Sequence, residues 1–132
     1  MLNPLRCAKG ALTGLAATAA CHTLMTAGYR WAGESEDPQD TFGTGVVEFL
    51  LATAVSWALM PLLLWAGMRL LGETGNLALV LAAGVTWVFL SGYFIDDMDR
   101  PGGHMPYAAL LAHVLWATAL SGVSTRTARD GT

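Results

Sequence analysis

At 132 residues the chain has the length of a single domain. Apolar residues make up 54% of it and charged residues 13%, the charges bunched between long uncharged stretches, which argues against a soluble domain with charged outer faces. The net charge of −3 is mild and argues against a nucleic-acid partner, which calls for a clustered basic surface.

Arg6 and Lys9 precede the first apolar stretch, about residues 11–29. Within it Ala-Ala-Thr-Ala-Ala-Cys resembles the small-residue cleavage site of a secretory signal. The apolar stretch continues beyond that point to Tyr29, so a retained helix is expected. Thr18, His22, Thr26 and Tyr29 recur at helical spacing and give this helix one polar face, expected to turn inward. Gly10, Gly14 and Ala16 to Ala20 would admit a close helix neighbour. Cys7 and Cys21 stand about 21 Å apart on a continuous helix, too far for a disulfide.

An acidic connection from Gly33 to Gly45 carries Pro38. The second stretch, about 46–71, begins beside Glu48 and contains Pro61, expected to kink it near Trp57. Gly72 to Asn76 reads as a short turn, and the third stretch covers about 77–95. Asp96 to Gly103, ending in Arg-Pro-Gly-Gly, reads as a second turn. The fourth stretch covers about 105–123 and a polar tail follows. Each stretch is near the ~20 residues that cross a ~30 Å hydrocarbon core. The expected fold is all-α: a four-helix transmembrane bundle in one integral membrane domain.

Basic residues set the orientation. Arg6, Lys9, Arg69, Arg126 and Arg129 fall on one side, and Arg30 and Arg100 on the other. The basic side favours the cytoplasm, so both termini are expected inside a multi-pass cell membrane protein. Glu34, Glu36, Asp37, Asp40, Asp96, Asp97 and Asp99 then face outward. Trp31 and Trp65 fall near opposite interfaces and read as belt anchors, whereas Trp57, Trp87 and Trp116 lie deeper, where they fill helix contacts.

Ionisable groups inside a span are costly and mark where function is sought first. His22 and His113 lie at similar depth, on the order of 10–13 Å from the outer ends at ~1.5 Å per residue. The simplest reading is two neutral imidazoles bonded to a threonine or a backbone carbonyl; axial haem ligation and a proton relay are the sharper ones. Glu48 reads as an interfacial ion-pair partner of Arg30 or as a carboxylate on an outward cavity. Asp96, Asp97 and Asp99 with His104 form the candidate divalent-cation cluster. Its spacing begins like a calcium loop and then fails, with Pro101 and Ala108 at ligand positions. A solvated acidic loop is the simpler reading, and no cofactor is predicted.

No phosphate-binding glycine loop, metalloprotease pair or nucleophile elbow is present in the sequence. Small pores and exporters share the four-span outline, which by itself carries no function. The first expectation is a non-enzymatic accessory or scaffold protein, with the lipid bilayer, a membrane partner or further copies of itself as partners. The alternatives are a transporter or pore subunit using Glu48 and His22, and a membrane enzyme. That enzyme would act on a lipid or prenyl substrate in an outward-facing cavity.

Overall fold

The computed structural model describes residues 4–34, 45–100 and 102–122. The acidic loop with Glu36, Pro38, Asp37 and Asp40, Pro101, and the tail with Arg126 and Arg129 lie outside the described residues. Those described are helical, without a strand: α1 Pro4–Glu34, α2 Val46–Leu70, α3 Leu77–Tyr93, α4 Ile95–Asp99 and α5 Tyr107–Ser121. Among the described residues only α2, 25 residues with one acidic and one basic residue at its ends, is both long and apolar enough to cross a membrane. Helices α3 and α5 are apolar but have 17 and 15 residues.

Helix α1 outruns its apolar stretch at both ends. Proline is tolerated in a first helical turn, where its missing N–H would go unused, so Pro4 can start the helix. Helix α2 runs on through Pro61, whose ring packs on Gly84 of α3. It ends in a Schellman turn: Gly72 takes φ +82°, its N–H bonds to Arg69 O, and the Glu73 N–H bonds to Met68 O. Part of the segment read as a turn from Asp96 instead forms the single helical turn α4. The Asp97 and Met98 N–H groups both bond to Phe94 O, and Met98 is buried.

The four longer helices form a ring in which α1 and α3 each touch α2 and α5, and no contact crosses the diagonals among the described residues. Small residues close the α1 contacts. Gly10 lies against Ser121, Gly14 against Ala117, Gly28 against Ala52, and Thr13 against Gly67. A side chain at Gly10 would occupy the space of the Ser121 hydroxyl, so only glycine permits this approach. Ala17 shares the buried face, while Ala16, Ala19 and Ala20 point outward.

The interior mixes polar side chains with an apolar core, and the exterior also carries many large apolar side chains. The interior holds Thr13, Thr18, Thr53, Ser56, Ser91, His113 and Ser121, filled out by Trp87 and by methionines such as Met25 and Met60. Unbranched methionine adapts to the gaps such mixed packing leaves. The exterior carries leucine and aromatic rows at a four-residue interval. On α3 the row is Leu77, Leu81, Val85, Phe89 and Tyr93, each more than half exposed, and on α5 it is Tyr107, Leu111 and Leu115. Helix α2 adds Val47, Leu51 and Leu62, and α1 adds Leu12 and Leu15.

Candidate functional site

His113 sits at the centre of the ring, on α5, almost wholly buried. Its Nε2 lies 3.1 Å from Ala83 O on α3, and its Nδ1 lies 3.0 Å from Thr18 Oγ1 on α1. A carbonyl only accepts, so Nε2 carries a proton, and in the neutral ring Nδ1 accepts from the Thr18 hydroxyl. The Trp87 ring meets the imidazole edge-on at 5.3 Å between centroids. One side chain thereby joins three helices.

The rest of the interior continues this pattern. Trp87 Nε1 donates to Ser56 Oγ at 3.1 Å, and Ser56 donates to Cys21 O on α1. Trp57 Nε1 donates to Ser91 Oγ at 2.9 Å, and Ser91 donates to Trp87 O. Thr53 donates to Phe49 O, which leaves its oxygen to accept from the Tyr29 hydroxyl at 2.7 Å, with Tyr29 stacked on Phe49. Trp116 donates to Thr86 across the α5–α3 contact. Every adjacent pair of the four longer helices is therefore linked by at least one side-chain hydrogen bond.

The polar row expected on the first helix divides between two neighbours. Thr18 serves α5 and Tyr29 serves α2. His22 Nε2 accepts the Met105 N–H at 3.0 Å, just before α5 begins, and Thr26 turns back to Thr23 O. His22 and His113 are not bonded to each other; each spends a lone pair on a different partner. An axial haem ligand must offer such a lone pair to iron, so haem binding would first require these bonds to break. Glu48 has no hydrogen bond or ion pair among the described residues, with His22 or with Arg30.

At the α4 end the cation candidates are not drawn together. Asp97 pairs with Arg100 at 3.3 Å, and Asp96 is exposed. His104 donates from Nδ1 to Met105 O and stacks on Tyr107. Among the described residues no three His, Cys, Asp or Glu side chains converge as metal ligands. Asp99 instead lines a cleft of about 700 Å³ with Thr26, Tyr29, Arg30, Glu34 and Arg100. His22, Glu48 and His113 are not part of that lining.

Sequence reasoning passed over the opposite end. Arg6, buried, donates to Glu73 Oε2 at 2.8 Å, Thr74 O at 2.9 Å, Gly75 O at 3.2 Å and Asn76 Oδ1 at 2.6 Å. Lys9 Nζ donates to Glu73 Oε1 at 2.9 Å. That bond, aided by the Lys9 charge and by Arg6, holds the Glu73 carboxyl below its ordinary value against a smaller opposing effect of burial. The Ser121 hydroxyl, which donates to Thr118 O at 2.6 Å, also lies 3.3 Å from Arg6 O, so the end of α5 comes to the same place. The lone Glu73 in a turn beside two basic residues at a helix start was the available signal.

Compared with protein-family models, with curated proteins and with solved structures, the chain matches none. Its class therefore rests on its own architecture: among the described residues it is all-helical, with one helix long and apolar enough to cross a membrane.

Proposed function

We propose that this protein is a four-span integral membrane protein, a transmembrane helix bundle with both termini cytoplasmic, acting as a non-enzymatic accessory or scaffold. The observation that supports the membrane reading is the apolar exterior: leucine and aromatic rows outside, around an interior in which threonine, serine and histidine lie among apolar side chains. Monomeric soluble proteins rarely expose apolar patches beyond a few hundred Å². Lipid gives such rows a solvent, and then hydrogen bonds and small-residue contacts hold the helices together. Helix α5, about 23 Å long at 1.5 Å per residue, is short for a ~30 Å core. Local bilayer thinning, or the apolar Met105–Pro106 segment before it, accommodates the difference.

The accessory reading is supported by how the interior polar groups are spent. His113, Thr18, Tyr29, Thr53, Ser56 and Ser91 bond to one another or to backbone, and His22 to the Met105 N–H. In a cysteine-free background (Cys7→Ser, Cys21→Ala), Gly102→Cys should react with an impermeant maleimide added outside whole cells, and Thr74→Cys only after permeabilisation. Outside labelling of both would overturn the topology. In proteoliposomes, proton and small-cation permeability should equal that of empty vesicles. A flux abolished by Glu48→Gln or His22→Ala would overturn the accessory reading in favour of a pore.

The cleft beside Thr26, Tyr29 and Asp99 favours a second reading, a membrane enzyme acting on a lipid or prenyl substrate from the outer side. His22 and Glu48 do not line that cleft, so the work would fall to Asp99 and its neighbours. Turnover of a prenyl or lipid phosphate that Asp99→Asn abolishes would establish it.

A further inference from the structure

Three basic side chains are described at the end of the molecule that carries the α2–α3 turn, and they are used unequally. Arg6 and Lys9 both reach Glu73. Arg69 has no carboxylate within ion-pair distance among the described residues; its guanidinium lies over the Trp65 ring, 5.6 Å from the centroid. Both side chains border a groove of about 290 Å³ between α2 and α3, completed by Thr74, Gly75, Asn76, Leu77 and Val80. The groove has two halves. Arg69 and the turn 74–76 form a polar head, and Trp65, Leu77 and Val80 form an apolar wall that runs away from it along the helices.

The turn that forms the polar half is the one Arg6 holds, through Thr74 O, Gly75 O and Asn76 Oδ1. A second guanidinium is thus fixed beside the groove, and with Glu73 as the one acidic side chain of the turn the local balance stays positive. An anionic head with apolar chains matches both halves at once, and basic pockets between helices at the cytoplasmic surface suit acidic lipid heads. We infer that this groove binds an acidic glycerophospholipid of the inner leaflet, its phosphate on Arg69 and an acyl chain along Trp65 and Val80. The inference rests on the membrane reading above.

The test uses the full-length protein in phosphatidylcholine vesicles containing either brominated phosphatidylcholine or brominated phosphatidylglycerol, with tryptophan quenching as the readout. The Trp65 contribution is assigned by its loss in Trp65→Phe. Brominated phosphatidylglycerol should be enriched about fivefold at Trp65, the factor one arginine at a membrane surface supplies. Arg69→Gln should remove that preference. Lys9→Gln, which deletes the same charge elsewhere at this end, should leave it in place. Equal quenching by the two lipids, or equal loss in both variants, would overturn the lipid site while leaving the membrane reading intact. Absence of quenching by either lipid, with Trp31 and Trp116 also silent, would instead overturn the membrane reading. Displacement of the preference by soluble glycerol phosphate would overturn it in favour of a soluble phosphoester.

Discussion

At the turn end, one buried arginine reaches four acceptors in residues 73–76, and a lysine secures the same carboxylate. At the α4 end, the ion pair among the described residues is the exposed contact between Arg100 and Asp97, three residues apart. The charges are of the same kinds, yet their consequences differ. Arg6 and Glu73 come from distant parts of the chain, so their contact fixes α1 against the α2–α3 turn. Arg100 and Asp97 are local and would meet in any α4, so they fix no helix against another. The long-range pair ties the start of α1 to the α2–α3 turn, whereas no such pair spans the cleft of about 700 Å³ at the α4 end among the described residues.

Arg6→Ala should break this contrast most severely. It leaves Glu73 without one partner and the carbonyls of Thr74 and Gly75 without their donor, and losing one member of a buried pair costs about 3 kcal/mol. Reversible unfolding in mixed micelles should show that loss.

His113→Leu comes next, because it removes two hydrogen bonds that join three helices. Interhelical bonds in membrane proteins average about 0.6 kcal/mol each and reach about 1.7 kcal/mol, so a loss of about 1–2 kcal/mol is expected. Thr18→Val, which removes one of the two, should cost about half as much. A Thr18→Val cost equal to that of His113→Leu would place the whole effect in the α1–α5 contact.

The turn end should also respond to pH. Glu73 is held below its ordinary carboxyl value, so the stability it adds is fully present above about 4.5, the unfolded reference, and is lost as pH falls through the lower folded value. Wild type and Glu73→Gln should therefore differ in melting temperature at neutral pH and converge in acid. A difference that persisted in acid would show that Glu73 acts through shape rather than charge. The smallest effect belongs to the α4 end: Arg100→Gln should change stability by less than about 0.5 kcal/mol, as exposed local pairs do.

Much of the helical layout was legible in the sequence. The apolar stretches at about 46–71 and 77–95 match α2 and α3 to within two residues, because a long run without charges admits few alternatives. The local turn chemistry was legible too, since Gly72 and the glycines after Arg100 stop a helix wherever it goes. Helix α1 runs past the apolar stretch at about 11–29 on both sides, because the ends of such a stretch mark a change of composition, while the helix ends where its backbone bonds stop. The short helix α4 was missed because its acidic residues and the following Arg-Pro-Gly-Gly dominate the local pattern.

Of the candidate site, periodicity gave the residues and the structure gave the partners. Thr18 and His22 share a row on α1, yet a helical repeat says nothing of which neighbour lies across from each residue, or how far that neighbour is shifted along its axis. Ring order and helix rotation decided that Thr18 meets His113, that Tyr29 meets Thr53, and that His22 meets a backbone N–H. They also decided that Arg6, which the sequence offered only as an orientation signal, holds a turn 67 to 70 residues away. The sequence by itself determined where the apolar stretches run and which of their residues are polar, since both follow from local composition and a 3.6-residue period. Which polar groups meet was left to tertiary packing, where buried hydrogen-bonding groups must find partners and small residues set how closely helices approach.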